Sequence, residues 1–189
     1  MADGVTLGQI IVLNGTSSAG KTSIGRELLD VLSSPFFLMS VDAFGAMRSP
    51  SRTAELSADE VPDMLRRTRA GFHRAVAGMA AAGNDVIMDH VFSEPWRLSD
   101  CLRLFEPFRV FFVGVRCSVP ELERRERARG DRTVGHAAAQ IEAVHTPGVY
   151  DFECETDVAT PRECALAIAE GLRRVDTPDA FRRLRENGI

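Results

Sequence analysis

The segment Gly15-Thr16-Ser17-Ser18-Ala19-Gly20-Lys21-Thr22 constrains this chain more than any other stretch. It satisfies G-x-x-x-x-G-K-[ST] and follows the apolar run Gln9–Asn14 (QIIVLN). It also opens a segment, Lys21–Leu32, in which Ile24, Leu28, Val31 and Leu32 fall along one helical stripe. A strand, a glycine-bounded turn and a helix in that order can enclose a polyphosphate. Backbone N–H groups must crowd around the anion, which glycines permit without Cβ clashes, and the helix N-terminus adds about half a positive charge. In such a cradle Lys21 reaches the β- and γ-phosphates and the Thr22 hydroxyl ligates Mg²⁺, so ATP and Mg²⁺ are the expected ligands. The bland alternative is a Gly/Ser-rich turn that binds nothing, and the flanking strand and helix argue against it.

The remaining chain repeats the alternation of short apolar runs with helical periodicity, the pattern of a parallel sheet covered on both faces. Strands are expected over Gln9–Asn14, Phe36–Asp42, Asp85–Asp89 and Arg109–Arg116, with Tyr150–Glu155 at an edge. Ser118 with Glu121 and Thr160 with Glu163 read as capping boxes, the second with Pro161 at the first helical position. Phe72, Val76, Met79 and Ala80 share a helical face ending before Gly83. The expectation is an α/β three-layer sandwich in one domain over 1–189. It includes a lid near 124–146 and a short polar surface helix near 177–187.

Ligands of such sheets bind at the carboxyl ends of the strands. Asp89, closing Val86-Ile87-Met88, is the candidate Mg²⁺-holding acid, against the alternative of a turn or helix cap. Asp42, at the expected end of the second strand, is the candidate general base that takes the proton of an acceptor hydroxyl. Its plain reading is a cap on the following turn. His90 could also approach the acceptor, although a lone histidine is more often structural. Arg124, Arg125, Arg127, Arg129 and Arg132 cluster after the fourth strand. Glu121–Arg125 and Glu123–Arg127 are ordinary i,i+4 pairs, whereas Arg129 and Arg132 flank Gly130-Asp131 and could swing over the triphosphate. Phe44, Met47, Phe72, His73 and Phe92 are candidates for an apolar acceptor wall, and the same spacing also suits plain core.

A formal charge of −4 gives no general pull toward nucleic acid or anionic membrane, so a small molecule is the expected partner. No run approaches the ~18 apolar residues of a spanning helix, and the first residues lack a signal-peptide layout, which points to the cytoplasm. Cys101, Cys117, Cys154 and Cys164 form no CxxC pair, and the 4 histidines make no metal-binding spacing, so the thiols are read as reduced and structural.

Together these residues resemble the chloramphenicol phosphotransferases. The matching features are IIVLNGTSSAGKT, the VD of the second strand, DHVF after the third, VGVRC, RARGDR, VHTPGVYDFECETD and ECALAIA, in order across roughly 9–170. The resemblance implies a P-loop kinase fold and an O-phosphotransferase that uses ATP and Mg²⁺ to inactivate a hydroxylated antibiotic. It also implies Asp42 as base and Arg129 and Arg132 in the lid. This chain departs from the family in having Asp89-His90 where two acids are common, in the stretch 43–58, and in the extra C-terminal helix.

Three rivals are weighed beside this reading. A GTP-hydrolysing switch would account for Asp42-Ala43-Phe44-Gly45, yet no N-K-x-D or T-K-x-D segment follows. A regulatory nucleotide-binding module without chemistry has less need of an acceptor-side carboxylate. A kinase of another metabolite, such as a sugar, a shikimate-like acid or a nucleotide, would call on Arg48, Arg52 or the Arg66-Arg67-Arg69 cluster.

Overall fold

The computed structural model describes residues 6–130 and 134–188. Its centre is a five-stranded sheet, β1 (Ile10–Asn14), β2 (Phe36–Ser40), β3 (Asp85–His90), β4 (Val110–Arg116) and β5 (Phe152–Glu155), in the order β2-β3-β1-β4-β5. All four pairings are parallel, with Val12 opposite Met88 on one side and Phe112 on the other. Every residue of β1 is buried, as a central parallel strand requires.

The pleat divides the core. Ile10, Val12, Val86, Met88 and Phe112 pack on one face with α4 (Glu60–Ala81) and α5 (Pro95–Leu104). Ile11, Leu13, Ile87, Phe111 and Val113 pack on the other with α1 (Lys21–Val31) and α8 (Pro161–Arg174). Short helices α2 (Val41–Ala46) and α3 (Pro50–Ala54) follow β2, while α6 (Val119–Arg129) and α7 (His136–His145) lie between β4 and β5. Thr160 and Glu163 make the expected capping box at the start of α8. The three-layer α/β expectation therefore holds.

Several boundaries differ for identifiable reasons. The second strand stops at Ser40, whose hydroxyl accepts from Ala43 N at 3.2 Å and starts α2, so Val41 and Asp42 are helical rather than extended. Ser118 makes no side-chain cap, because Glu121 turns instead to Arg124 and Arg125. The final helix α9 (Ala180–Glu186) is not a polar surface element: Ala180, Phe181 and Leu184 are buried. Phe181 lies parallel to Phe105 and edge-on to Phe112, with ring centroids 6.3 and 5.1 Å away, which locks α9 onto the sheet. Cys101, Cys117, Cys154 and Cys164 are all free thiols. Among the described residues no helix is long and apolar enough to cross a membrane.

Candidate active site

The Gly15–Thr22 loop joins β1 to α1 at the carboxyl edge of the sheet, where the chain departs to strands on either side. Gly15 is required by close approach, since a Cβ there would lie 2.4 Å from the Val115 carbonyl oxygen. Gly20 is required by conformation, with φ 96°, and Ser18 also adopts a left-handed conformation at φ 60°. These two positive-φ residues wrap the loop ahead of the α1 N-terminus.

Lys21 is 6% exposed and donates to the Thr16 carbonyl oxygen at 2.7 Å, which folds its chain back over the loop. Its Nζ also lies 3.9 Å from Asp89 Oδ1. Thr22 Oγ1 donates to Asp89 Oδ2 at 2.6 Å, so a hydroxyl and a carboxylate, both hard oxygen ligands, meet at the loop. No cluster of three or more His, Cys, Asp or Glu side chains that could hold a metal occurs among the described residues. That fits Mg²⁺, which commonly takes one or two protein oxygens and completes its shell with phosphate and water. The left-handed loop and the Thr22–Asp89 pair together fit a Mg-polyphosphate.

A cavity of approximately 1030 Å³ opens beside the loop. It is lined by Ser17, Ser18, Lys21 and Thr22 of the loop, with Asp89 beside them, and also by Asp42 and His90. Asp42 occupies the first turn of α2 and is exposed on that wall, so its position in a helix does not remove it from the cavity. Arg124 and Arg129, from α6, and His136 and Gln140, from α7, line it as well. Arg132 lies outside the described residues. Gln140 Oε1 accepts from Ser17 N at 3.1 Å and so rests on one of the loop's backbone donors.

Arg125 does more than the surface pairing expected of it. Besides Glu121, it donates to the Ser18 carbonyl oxygen at 3.2 Å, to Thr156 Oγ1 at 3.0 Å and to the Thr156 carbonyl oxygen at 2.6 Å. It thereby ties α6 to the loop and to the end of β5. Glu126, fully buried, accepts from Gly135 N and Ala137 N at 2.8 Å each and caps the start of α7. Asn14, at the end of β1, donates to the Val144 carbonyl oxygen and to Tyr150 Oη, and accepts from Phe92 N. No local sequence signal marks these links.

The expected apolar acceptor wall does not form. Phe72, His73 and Phe92 are buried in the core, Phe44 packs on Phe72 at 5.6 Å, and Met47 is 78% exposed. None of the five lines the cavity. Aromatic rings on the sheet-facing stripe of α4 join the larger apolar cluster instead. His90 does line the cavity, with its Nε2 2.9 Å from His73 Nε2, whose Nδ1 in turn lies 2.8 Å from Asp100 Oδ2. Burial holds both imidazoles below their usual pKa, although Asp100 pulls His73 the other way. Arg48, Arg69 and Arg97 also line the cavity. Arg52 and Arg67 instead pair with Glu55 and Asp63, and Arg66 covers the Trp96 ring at 4.6 Å.

Residues 8–173 match the family described as chloramphenicol phosphotransferase-like protein. The chain belongs to that family. A curated relative from two strains of Mycobacterium tuberculosis, named "Putative O-phosphotransferase", is 32% identical over 97% of this chain and 90% of its own length. Solved structures of related shape include the Mycobacterium tuberculosis APS kinase CysC in complex with AMPPNP and APS, at TM-score 0.66 and 15% identity, covering 88% of this chain and 98% of that one. Shikimate kinase from Acinetobacter baumannii in complex with shikimate gives TM-score 0.64 and 18% identity over 91% and 96%. The Deinococcus radiodurans tunicamycin resistance protein gives 0.60 and 18% over 87% and 95%. These likenesses show that the chloramphenicol phosphotransferase-like chain has the fold of P-loop kinases, as its sequence implies. Family and fold agree with the expected class of ATP-dependent small-molecule kinase.

Proposed function

We propose that this protein transfers the γ-phosphoryl group of Mg-bound ATP to a hydroxyl of a small molecule. The observation that carries the reading is the shared cavity in which the Gly15–Thr22 loop, the Thr22–Asp89 pair and the Asp42 carboxylate meet. In this reading the loop amides and Lys21 bind the terminal phosphates, and Thr22 and Asp89 would hold Mg²⁺, which would supply charge neutralisation for the transferring group. Asp42 accepts the acceptor's hydroxyl proton and orients its oxygen, while Arg129 and Arg132 balance charge spreading over the transferred group.

Family membership supports a hydroxylated antibiotic, chloramphenicol or a relative, as acceptor. A second reading, another polar metabolite, is favoured by the arginines on the acceptor wall in place of an apolar slot. Incubating the protein with labelled ATP, Mg²⁺ and a panel of chloramphenicol, sugars, nucleosides and hydroxy acids tests the proposal. Transfer of label to one compound supports it, whereas ATP hydrolysis unaffected by every acceptor argues for a nucleotide-binding module or hydrolase.

A further inference from the structure

Three guanidinium groups from separate elements converge on the acceptor side of the cavity: Arg48 just after α2, Arg69 on α4 and Arg97 on α5. They stand on the β2–β3 side of the site, whereas Arg124, Arg125 and Arg129 approach the phosphate loop from α6. Arg97 is 7% exposed; it donates to the Val91 carbonyl oxygen at 2.9 Å and to Ser93 Oγ at 3.0 Å, and it pairs with Glu94. Its Nε is buried and has no hydrogen-bond partner. Arg48 Nη1 donates to Thr68 Oγ1 at 3.0 Å, and its Nε is likewise buried without a partner.

Among the described residues Arg69 makes no hydrogen bond or salt bridge, and only the more distant charges of Glu94 and Asp42 favour its cation. Partial burial and the adjacent Arg97 and Arg48 disfavour its charge, with Glu94 and Asp42 opposing them. A protein can keep three cations together on a cavity wall, with N–H donors unspent, when an anion joins them in the working complex.

We propose that Arg48, Arg69 and Arg97 form an anion subsite, so that the acceptor carries a carboxylate or a phosphate in addition to the hydroxyl that is phosphorylated. The proposal rests on the kinase reading and sets the substrate class within it. The planar guanidinium forks suit a carboxylate or phosphate held by several oxygens at once, and the hydroxyl would then extend toward Asp42 on the same wall. A neutral drug would leave Arg48 and Arg69, unlike Arg97 with its Glu94 partner, without a carboxylate partner among the described residues.

The test uses the full chain saturated with AMPPNP and Mg²⁺, which fills the phosphate loop, and titrates inorganic phosphate or sulfate by calorimetry. Arg69→Gln is the main variant, because this side chain bonds to no described residue, with Arg48→Gln as a second. Loss of one charge-assisted contact should weaken the inorganic anion about tenfold or more while AMPPNP affinity stays within about twofold. In turnover, hydroxy acids and phosphorylated alcohols should exceed their methyl esters and parent alcohols, and Arg69→Gln should erase that preference.

Normal AMPPNP binding without anion binding would overturn the subsite alone, as would a loss of AMPPNP affinity in Arg69→Gln or equal turnover of neutral counterparts. Failure of the wild-type chain to bind AMPPNP would overturn the kinase reading, and the subsite with it.

Discussion

Thr22 Oγ1 and Asp89 Oδ2 stand 2.6 Å apart, the first at the start of α1 and the second near the end of β3. Strand pairing brings them together, since β3 lies directly beside β1. The contact gives Asp89 an orientation in which its second oxygen faces Lys21 at 3.9 Å. Asp89→Asn keeps the shape and removes the charge. It should raise the Mg²⁺ concentration for half-maximal rate by roughly 10–100-fold, the range seen when supporting groups of metal sites are altered. Kinetics across a Mg²⁺ titration at fixed ATP checks this, and an unchanged Mg²⁺ requirement would separate Asp89 from the metal.

Asp42 tests the acceptor side. If Asp42 serves in the proposed general-base role, Asp42→Asn should lower kcat by roughly 10²–10⁴ with ATP affinity nearly intact. Lys21→Ala provides the contrast, because it should abolish productive nucleotide binding. Unaltered turnover in Asp42→Asn would remove the residue from the chemistry even though it lines the cavity.

Arg129 and Arg125 should fail differently. Arg129 lies on the cavity wall at the end of α6, so Arg129→Ala should reduce kcat by about 10²-fold, the scale of one lost transition-state donor, and change ATP affinity less. Arg125 holds the Ser18 and Thr156 carbonyl oxygens, so Arg125→Ala should weaken AMPPNP binding and kcat together. Separate measurement of nucleotide Kd and single-turnover rate distinguishes the two, and matching profiles would refute the division.

Phe181 is 3% exposed and sits between Phe105 and Phe112. Phe181→Ala should cost roughly 3–5 kcal/mol, because the ring leaves a cavity between α9 and the sheet. Urea denaturation measures the loss. A change below about 1 kcal/mol, the scale of an ordinary surface substitution, would mean that α9 is only loosely attached.

Burial, followed by the neighbouring Arg116 charge, pushes the His145 imidazole down to about 4, and burial also lowers His73. The unfolded chain therefore binds more protons than the folded one below the ordinary histidine pKa of about 6.5. The His145 contribution to stability is complete above about pH 6.5 and is lost as pH falls toward 4, and His73 contributes in the same direction. Denaturation midpoints between pH 8 and 4.5 should decline across that window, less steeply for His145→Gln. A flat wild-type profile would contradict the buried neutral state.

The sequence alone determined the features that are local along the chain. A glycine-bounded loop between an apolar run and a helical stripe marks the strand–loop–helix unit proposed as the phosphate cradle, because the turn, the strand and the helix each require particular residue types at fixed spacing. The alternation of apolar runs and helical stripes likewise implied the parallel sheet, and family-specific motifs implied the kinase class. Boundaries such as Ser40 depended on one hydroxyl accepting a backbone bond, which composition cannot reveal.

Tertiary structure decided what faces what. Phe72 and Phe92 could have formed a drug-binding wall, but what packs against a ring settles whether it is core or cavity, and here both rings join the buried cluster that α4 and α5 make with the sheet. Arg125 carries an ordinary i,i+4 spacing yet reaches the Gly15–Thr22 loop. Arg48, Arg69 and Arg97 lie on three separate elements, and only the crossovers around β3 bring their charges to one surface. Spacing along a chain predicts neighbours within a helix or strand; convergence between elements depends on the packed sheet, which no local pattern contains.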